Sequence, residues 1–282
     1  MTFAQAMLLA ILQGFSELFP ISSLGHTVLV PALLHWRLDL SDPTFLAFVV
    51  VLHLGTALTL LVFYWSEWRG IVGAIVRGVV RGRFEGSDDE KVAWLLVVGT
   101  IPAGLLGVFF EREVRGLFAS PLPVAVFLFL NGLIMFAGER LRRRQHRDEG
   151  KPYRSLPSIS FVDALGIGAA QALALLPGIS RSGSSIVAGL IFGLSEAGAA
   201  RFSFLLATPI IFAAGLLEVP RLFAPDAHVG APEAVAGGIL AAVTAYFSVA
   251  FLTRYFQTND LRPFGWYCVI AGAACFALFR WG

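Results

Sequence analysis

Two charged side chains lie near the middle of two long apolar stretches. Glu17 is the only Asp, Glu, Lys or Arg within residues 1–36, and Arg181 is the only one within residues 164–195. An ionisable group at membrane depth costs several kcal/mol unless it is paired or hydrated, so both side chains predict a functional site. The alternative is a purely structural ion pair between Glu17 and Arg181.

Hydroxyl groups and glycines surround Arg181, in the sequence Pro-Gly-Ile-Ser-Arg-Ser-Gly-Ser-Ser at residues 177–185. An arginine fork, hydroxyls and the N–H groups of a helix start form an anion site that suits phosphate. The alternative is that the serines only cap a helix. We predict that substrate-binding groups come from both apolar stretches, namely Ser22, Gln171, Gly178, Ser180, Ser182 and Gly183.

The surroundings of Glu17 predict different chemistry. Gln13 and Glu17 are four residues apart and share a helix face, where their oxygens could hold a hard divalent cation, or Glu17 could orient a base. His26 follows Ser22 and Ser23, and a histidine beside a serine is the arrangement that activates a hydroxyl nucleophile. We predict catalysis here, against the alternative of a structural histidine. Of the other histidines, we expect His53 to line a cavity at most, and His35 and His228 to lie in exposed loops.

The composition shows what must position these residues. Hydrophobic residues make up 57% of the 282, charged residues only 14%, and the mean hydropathy is +0.75. Soluble domains carry about 25% charged residues, so a soluble enzyme, a disordered chain and a disulfide scaffold are excluded. A net charge of +2 gives no indication of nucleic acid binding. We predict an all-α integral membrane protein with six spans, at residues 43–65, 92–110, 116–138, 202–218, 233–253 and 263–280.

Two further apolar stretches, residues 3–36 and 161–195, are too long for one span and are interrupted by Pro, Gly and Ser. Broken backbone at membrane depth is tolerated only inside protein or beside water, so we predict two re-entrant helix pairs. The stretches also match each other at an offset of 158 residues. We predict one membrane domain, 1–282, with repeats at about 1–138 and 155–282 and a basic linker at about 139–154.

Lysine and arginine predict the orientation. With six spans, the loops 66–91, 139–160, 195–201 and 254–262 share one side and hold fifteen basic residues, against five on the other side. We therefore expect the first group, including Arg81–Arg83 and Arg142–Arg144, in the cytoplasm, with Arg112 and Asp226 outside. The two broken segments then enter from opposite faces, which makes the repeats inverted.

Both polar interruptions match sequence signatures. Residues 13–26, Gln-Gly-Phe-Ser-Glu-Leu-Phe-Pro-Ile-Ser-Ser-Leu-Gly-His, resemble the (E/Q)xxxE…PxSSxGH motif of the BacA/UppP family of undecaprenyl pyrophosphate phosphatases. Residues 177–183 resemble its second motif, PGxSRSG, and residues 202–207 are also similar to that family. Two positions differ from many members: Leu24 replaces a threonine, and Gln13 stands where a glutamate is common.

The resemblance implies hydrolysis of undecaprenyl diphosphate to the monophosphate at the outer face of the bacterial cytoplasmic membrane, with Mg²⁺ or Ca²⁺. It further implies that Glu17 is the essential carboxylate, Ser23 a candidate nucleophile, His26 an acid/base and Arg181 the phosphate clamp. Direct attack by water, with His26 as base, remains an alternative to attack by Ser23. Gln13 removes a charge from any metal site that includes Glu17.

Other functions remain open from the sequence. Inverted repeats with broken helices are also a transporter architecture, so a polyprenyl-phosphate transporter or flippase is the main alternative, with a structural scaffold third. The expected partners are the polyprenyl diphosphate and the bilayer, with no nucleic acid. Whether the chain forms a homodimer is left open.

Overall fold

The computed structural model describes residues 1–40, 42–81, 87–109, 120–145, 150, 152–223 and 230–281. Within these ranges the chain is helical, with one isolated bridge between Arg154 and Leu194 and no strand. The all-α prediction is confirmed. The α-helices of the described residues are α1 (Phe3–Ser16), α2 (Ser23–Leu33), α3 (Pro43–Phe63), α4 (Trp65–Arg81), α5 (Asp88–Phe109), α6 (Pro121–Arg143), α7 (Phe161–Gln171), α8 (Arg181–Ile191), α9 (Glu196–Glu218), α10 (Ala231–Tyr255) and α11 (Arg262–Trp281).

Six of these helices, α3, α5, α6, α9, α10 and α11, are long and apolar enough to cross a membrane. They correspond to the six predicted spans, with ends shifted by a few residues. Apolar composition identified these helices because each must face lipid or other apolar helices along its whole length. Several predicted positions fall outside the described residues: Arg83, Arg112, Arg115, Asp226 and His228.

The predicted loop at 66–91 is wrong in its first half, where the chain forms α4. The buried residues of this helix are Ile71, Ala74 and Gly78, which recur every three to four positions and pack on α5. Its arginines hid this periodicity, because a charged segment between two spans resembles a connecting loop. The helix buries one stripe and exposes both arginines and valines, for example Arg77 and Val80.

Both broken stretches are pairs of short helices. α1 and α2 are separated by residues 17–22, while α7 and α8 are separated by residues 172–180, which begin with the 3₁₀ turn Ala172–Leu175. Each second helix begins with a serine cap, since Ser22 Oγ accepts from Gly25 N and Ser180 Oγ from Gly183 N. The breaks are therefore where the sequence placed them. The re-entrant path through a bilayer stays a prediction.

The two halves of the chain interlock. α1 packs on α10 and α7 packs on α5, so each broken segment lies against a span from the other half. Glycine makes both approaches possible, because a Cβ at Gly14 would meet the Ala241 carbonyl and one at Gly168 would meet the Gly99 carbonyl. This exchange fits two repeats of one design, while their inverted orientation stays a prediction.

Ion pairs gather the loops predicted to share one side. Arg142 bonds Glu139 and Glu196, Arg143 bonds Asp260, and Arg201 bonds Glu67. Burial alone would raise the pKa of Asp260, but hydrogen bonds from Arg262 and Arg143 hold that pKa below its usual range. These contacts join the start of α4, the end of α6, the start of α9 and the turn before α11 at one end of the bundle, called here the charged end.

Candidate active site

The two interruptions face each other, and their charged side chains meet. Glu17 is the C-cap residue directly after α1. Ser23 is the first residue of α2, and Arg181 is the first residue of α8. Arg181 donates from Nη2 and Nε to Glu17 Oε1 at 3.0 and 3.2 Å. The predicted proximity of the two buried charges is therefore observed.

The second oxygen of Glu17 collects three more groups. Ser23 Oγ donates to Oε2 at 2.5 Å, and Gln13 Nε2 donates to the same atom at 3.1 Å. His53 Nε2 lies 3.1 Å from it, while His53 Nδ1 lies 2.8 Å from the Val49 carbonyl. A carboxylate that accepts the hydrogen of a serine is placed to take that proton when the oxygen attacks.

Hydrogen bonds hold the two loops together behind the charged groups. Ser22 Oγ accepts from Gly178 N at 3.2 Å, across the gap between the loops. Asn131 on α6 donates to the Pro20 carbonyl at 3.0 Å and accepts from Ser180 N at 3.0 Å. Asn131 is completely buried, so its amide bonds one backbone group of each loop that solvent does not reach.

Arg181 is also fixed from behind. Its Nη1 donates to the Ser203 carbonyl on α9 at 3.3 Å. Ser203 Oγ lies 2.7 Å from Ser185 Oγ, one turn along α8 from the arginine. With three of its nitrogens bonded to protein, the guanidinium is held in one orientation before any ligand arrives.

A cavity of about 300 Å³ opens beside these groups. The polar residues of its wall are Glu17, Ser22, Ser23, His53, Gln171, Ser180, Arg181 and, farther along, Glu218. The Gln171 amide is 2% exposed, and neither its oxygen nor its nitrogen has a partner among the described residues. The rest of the wall is mostly apolar and includes Leu46, Val50, Leu175, Ile210 and Ala214. The cavity thus combines a polar head region with an apolar extension.

The structure does not bring His26 to Ser23. The His26 ring contacts the Ser22 carbonyl through Nδ1 at 2.7 Å and Tyr267 Oη through Nε2 at 2.6 Å, and it stacks on the Tyr267 ring. It is absent from the cavity wall. His26 lies one turn into α2 and points toward α11, so the contact between His26 and Ser23 that the sequence suggested is not present. The partner of Ser23 is Glu17 Oε2, and His53 lies beside that atom. The acid/base role of His26 stays a prediction.

Three predicted phosphate ligands also contact protein rather than the cavity. Gly178 adopts a φ of 113° and packs against α6, with its N–H bonded to Ser22. The Gly183 N–H is used by the Ser180 cap. Ser182 Oγ lies 3.2 Å from the Phe19 carbonyl and is fully buried. These three residues are not part of the cavity wall, whereas Ser22, Ser180 and Gln171 are, and the binding role of all six stays a prediction.

Comparison with known proteins identifies the family. The family described as "Bacitracin resistance protein BacA" matches residues 6–274. The chain belongs to the BacA family. It is 48% identical to Undecaprenyl-diphosphatase 2 of Chromobacterium violaceum over 95% of both chains. It is 48% identical to Undecaprenyl-diphosphatase of Mycolicibacterium paratuberculosis, covering 97% of this chain and 96% of the relative. It is 47% identical to Undecaprenyl-diphosphatase of Acidiphilium cryptum over 98% of both.

The donor set around Glu17 does not fit the divalent cation that the BacA resemblance implies. Glu17 is the single carboxylate at this point and its oxygens already accept from protein donors, with the Arg181 guanidinium 3.0 Å away. Gln13 adds one unpartnered amide oxygen. Among the described residues, no group of three or more His, Cys, Asp or Glu is arranged to hold a metal ion. Mg²⁺ and Ca²⁺ need about six or more oxygens, so Glu17 and Gln13 are not assigned as metal ligands.

The sequence of this BacA chain did not lead us to expect the contacts of Asn131 and Tyr267, or a contact between His53 and Glu17. Asn131 and His53 each lie in a stretch with no charged residue, at 116–138 and 43–66. A polar side chain inside a membrane span is expensive unless it is bonded, so both were detectable by the argument applied to Glu17. Tyr267 lies near one end of α11, where tyrosine is common in membrane helices, and nothing in the sequence indicates that His26 is its partner.

Proposed function

We propose that the chain hydrolyses undecaprenyl diphosphate to undecaprenyl phosphate and inorganic phosphate, as the printed names of its relatives state for them. The observation that carries the proposal is the bond from Ser23 to Glu17 beside Arg181, inside one cavity. A hydroxyl, its proton acceptor and a fixed cation are the parts that phosphoryl transfer requires. The product is the carrier lipid in the form used for cell-wall synthesis.

Ser23 is the proposed nucleophile. Its Oγ attacks the terminal phosphorus and forms a P–O bond, while the bond to the bridging oxygen breaks and that oxygen keeps the electron pair. Glu17 Oε2 receives the serine proton, since it already accepts that hydrogen. Water then cleaves the phosphoserine and restores the hydroxyl. Direct attack by water remains the alternative. Glu17 would then be the base, because Glu17 lies at the site and His26 does not.

Arg181 carries the developing charge in this proposal. It enters the cavity wall at the start of α8, where helix N–H groups add positive potential. Its contacts to Glu17 and Ser203 hold the guanidinium in place, so little reorganisation is needed when negative charge grows on the transferred phosphoryl group. Gln171 supplies unpartnered amide groups for the second phosphate.

In this proposal, the part of the polyprenyl tail next to the diphosphate lies in the apolar extension of the cavity. This wall is formed by the first half of α3, the second half of α5 and the second half of α9, through residues such as Leu46, Gly107 and Ala214. All three belong to the end of the bundle opposite the charged end. A transporter needs the arginine but not a serine bonded to a carboxylate, so the site favours hydrolysis over the flippase alternative.

We further propose that the cavity opens to the outer face of the bacterial cytoplasmic membrane. The support is the position of the charged end, which holds most of the basic residues and is opposite the cavity mouth. Single cysteines placed at Gln145 or Gly150, after replacement of Cys268 and Cys275, should resist an impermeant thiol reagent in intact cells. A cysteine at His35, beside the predicted outer face, should react. The opposite pattern would reverse the orientation.

The divalent cation and the homodimer stay proposals. Because the protein offers few free oxygens, a Mg²⁺ or Ca²⁺ ion would have to be bound mainly by the diphosphate and water. Phosphate release measured with and without chelator tests the requirement. Light scattering of the detergent-solubilised chain tests the assembly.

One assay tests the function itself. The purified full-length chain is incubated with undecaprenyl diphosphate in detergent and inorganic phosphate is measured, with Glu17→Gln as the inactive control and Ser158→Ala, an exposed serine, as the matched active control. The proposal is supported if the parent and Ser158→Ala release phosphate and Glu17→Gln does not. If the parent releases no phosphate but moves labelled polyprenyl phosphate across vesicles, the chain is a transporter.

A further inference from the structure

A second buried ionisable group, not used in the mechanism above, lies in the wall of the cavity. The His53 side chain is 13% exposed and lies on α3, thirty residues beyond Ser23 in the chain. Its Nε2 is 3.1 Å from Glu17 Oε2, the same oxygen to which Ser23 donates. His53 therefore reaches the reacting region from the side opposite Arg181, which binds the other carboxylate oxygen.

The contacts of the ring determine where its protons are. His53 Nδ1 faces the Val49 carbonyl at 2.8 Å, and a carbonyl only accepts, so Nδ1 carries a hydrogen. Nε2 faces a carboxyl oxygen, and two bare lone pairs would repel each other at this distance. One proton must therefore lie between His53 Nε2 and Glu17 Oε2, whichever atom holds it.

The other neighbours cannot take over this proton. Gln13 contacts the same oxygen through its amide nitrogen, which does not titrate. Arg181 stays protonated at all relevant pH values. His26 lies away from the cavity with Tyr267. The charged groups that face His53 are Glu17 and Arg181, and Glu218 lies farther along the same cavity wall.

We propose that His53 is a catalytic residue: it donates the proton shared with Glu17 to the leaving polyprenyl phosphate. The proposal rests on the hydrolysis proposed above. As Ser23 Oγ forms its bond to phosphorus, the bridging P–O bond breaks and its oxygen takes the electron pair and the proton from His53 Nε2. The serine proton passes to Glu17 Oε2, so the pair again holds one proton. In the second half, a water proton enters the pair and the pair returns one to Ser23.

In this relay His53 on α3 protonates the leaving group. His26, in the first motif, is directed toward Tyr267 and does not reach the cavity. The exchange of one proton for another also keeps the charge of the Glu17, His53 and Arg181 group constant through each half reaction. A constant charge is favourable in a buried site, because a new unpaired charge there is costly.

The test compares His53→Gln with the parent in the phosphate-release assay. Glutamine can still donate a hydrogen bond to Glu17 but cannot transfer a proton, so a purely positioning role would survive the change. We expect kcat to fall about a hundredfold or more, with KM changed less than about threefold. His35→Gln, an exposed histidine, is the matched control and should retain the parent rate.

A second variant keeps the proposal testable if His53→Gln does not fold. His53→Ala leaves space on the cavity wall, and added imidazole should restore phosphate release at least about tenfold over the unsupplemented variant. Imidazole should not raise the rate of the parent or of His35→Ala. The proposal is overturned if His53→Gln keeps most of the parent kcat, or if folded His53→Ala gains nothing from imidazole. Failure of the parent itself to release phosphate would instead overturn the proposed function.

Discussion

The segments that lead into α2 and α8 are built alike but supply opposite charges, Glu17 in the first and Arg181 in the second. Each ends in a serine that caps the following helix, Ser22 in the first and Ser180 in the second. The next residue differs, because Ser23 begins α2 whereas Arg181 begins α8. Two loops of similar construction thus bring two helix starts together, and the residue after each cap decides that one loop supplies the hydroxyl and the other the cation.

The loops also differ in how they make their turns. The second uses Gly178, at a φ of 113°, where glycine has no steric penalty. The first uses Ser22 at a φ of 67°, a conformation that costs a residue with a side chain about 1–3 kcal/mol. The Ser22 hydroxyl accepts from both Gly25 N and Gly178 N. The strained turn is therefore held partly by the opposite loop, so the catalytic loop depends on the binding loop.

The largest effect is expected where the second loop loses its cation geometry. Lysine in Arg181→Lys keeps the charge but cannot bond Glu17 and the Ser203 carbonyl with a planar fork at the same time. We expect kcat/KM for undecaprenyl diphosphate to fall about a thousandfold, close to the effect of Arg181→Ala. Arg201→Lys, at an exposed ion pair, is the matched control. If Arg181→Lys keeps most of the activity, charge alone suffices and the fork is unimportant.

The next effect separates two uses of the first loop. If Ser23 is the nucleophile, Ser23→Ala removes the attacking atom and turnover should fall to background while substrate still binds. If water attacks directly, the variant loses one hydrogen bond, about 0.5–1.5 kcal/mol, and the rate falls about tenfold at most. Trapping of a labelled phosphoserine in the parent after acid quench would agree with the first route. A tenfold loss without a trapped intermediate would establish the second.

The sequence predicted the scaffold well for physical reasons that act locally. Apolar length located the six spans, and prolines, glycines and serines located both breaks, because each feature expresses a cost that the chain meets at that position. The meeting of Glu17 with Arg181 was also predictable. Two opposite charges, each alone within a long apolar stretch, have few other ways to be neutralised.

The two histidines His26 and His53 show where local sequence features no longer predict contacts. His26 is three residues from Ser23 in the sequence, but the helical turn directs its ring toward Tyr267. His53 is thirty residues from Ser23, yet the packing of α3 places it at Glu17. Adjacency within a motif does not give the direction of a side chain, which depends on contacts between helices that one sequence does not reveal.

Asn131 offers a way to separate the two loops without touching the reacting groups. Leucine in Asn131→Leu keeps a similar volume but leaves the Pro20 carbonyl and Ser180 N–H unpaired. Each buried unpaired group costs about 1–3 kcal/mol, so the thermal midpoint in detergent should drop and activity should fall with it. Asn259→Ala, at an exposed turn, should change the midpoint little. An unchanged midpoint in Asn131→Leu would show that the loops are held by the other contacts alone.

The smallest effect is expected at the pair His26 and Tyr267, which lies behind the first loop. Tyr267→Phe removes the hydroxyl that contacts His26 Nε2, and His26→Gln removes the ring while leaving amide groups near Tyr267 and the Ser22 carbonyl. Each lost hydrogen bond is worth about 0.5–1.5 kcal/mol, so kcat should fall about tenfold at most in either variant.

The double variant decides what this pair does. If His26 and Tyr267 act through one shared contact, the loss in the double variant should equal the larger single loss rather than the product of both. A different result is expected if His26 takes protons in the reaction, since His26→Gln alone would then fall to the level of Ser23→Ala while Tyr267→Phe stayed near the parent. That outcome would mean that substrate binding turns the His26 ring away from Tyr267 and toward Ser23, and it would transfer the acid/base role from the α3 histidine back to the first loop.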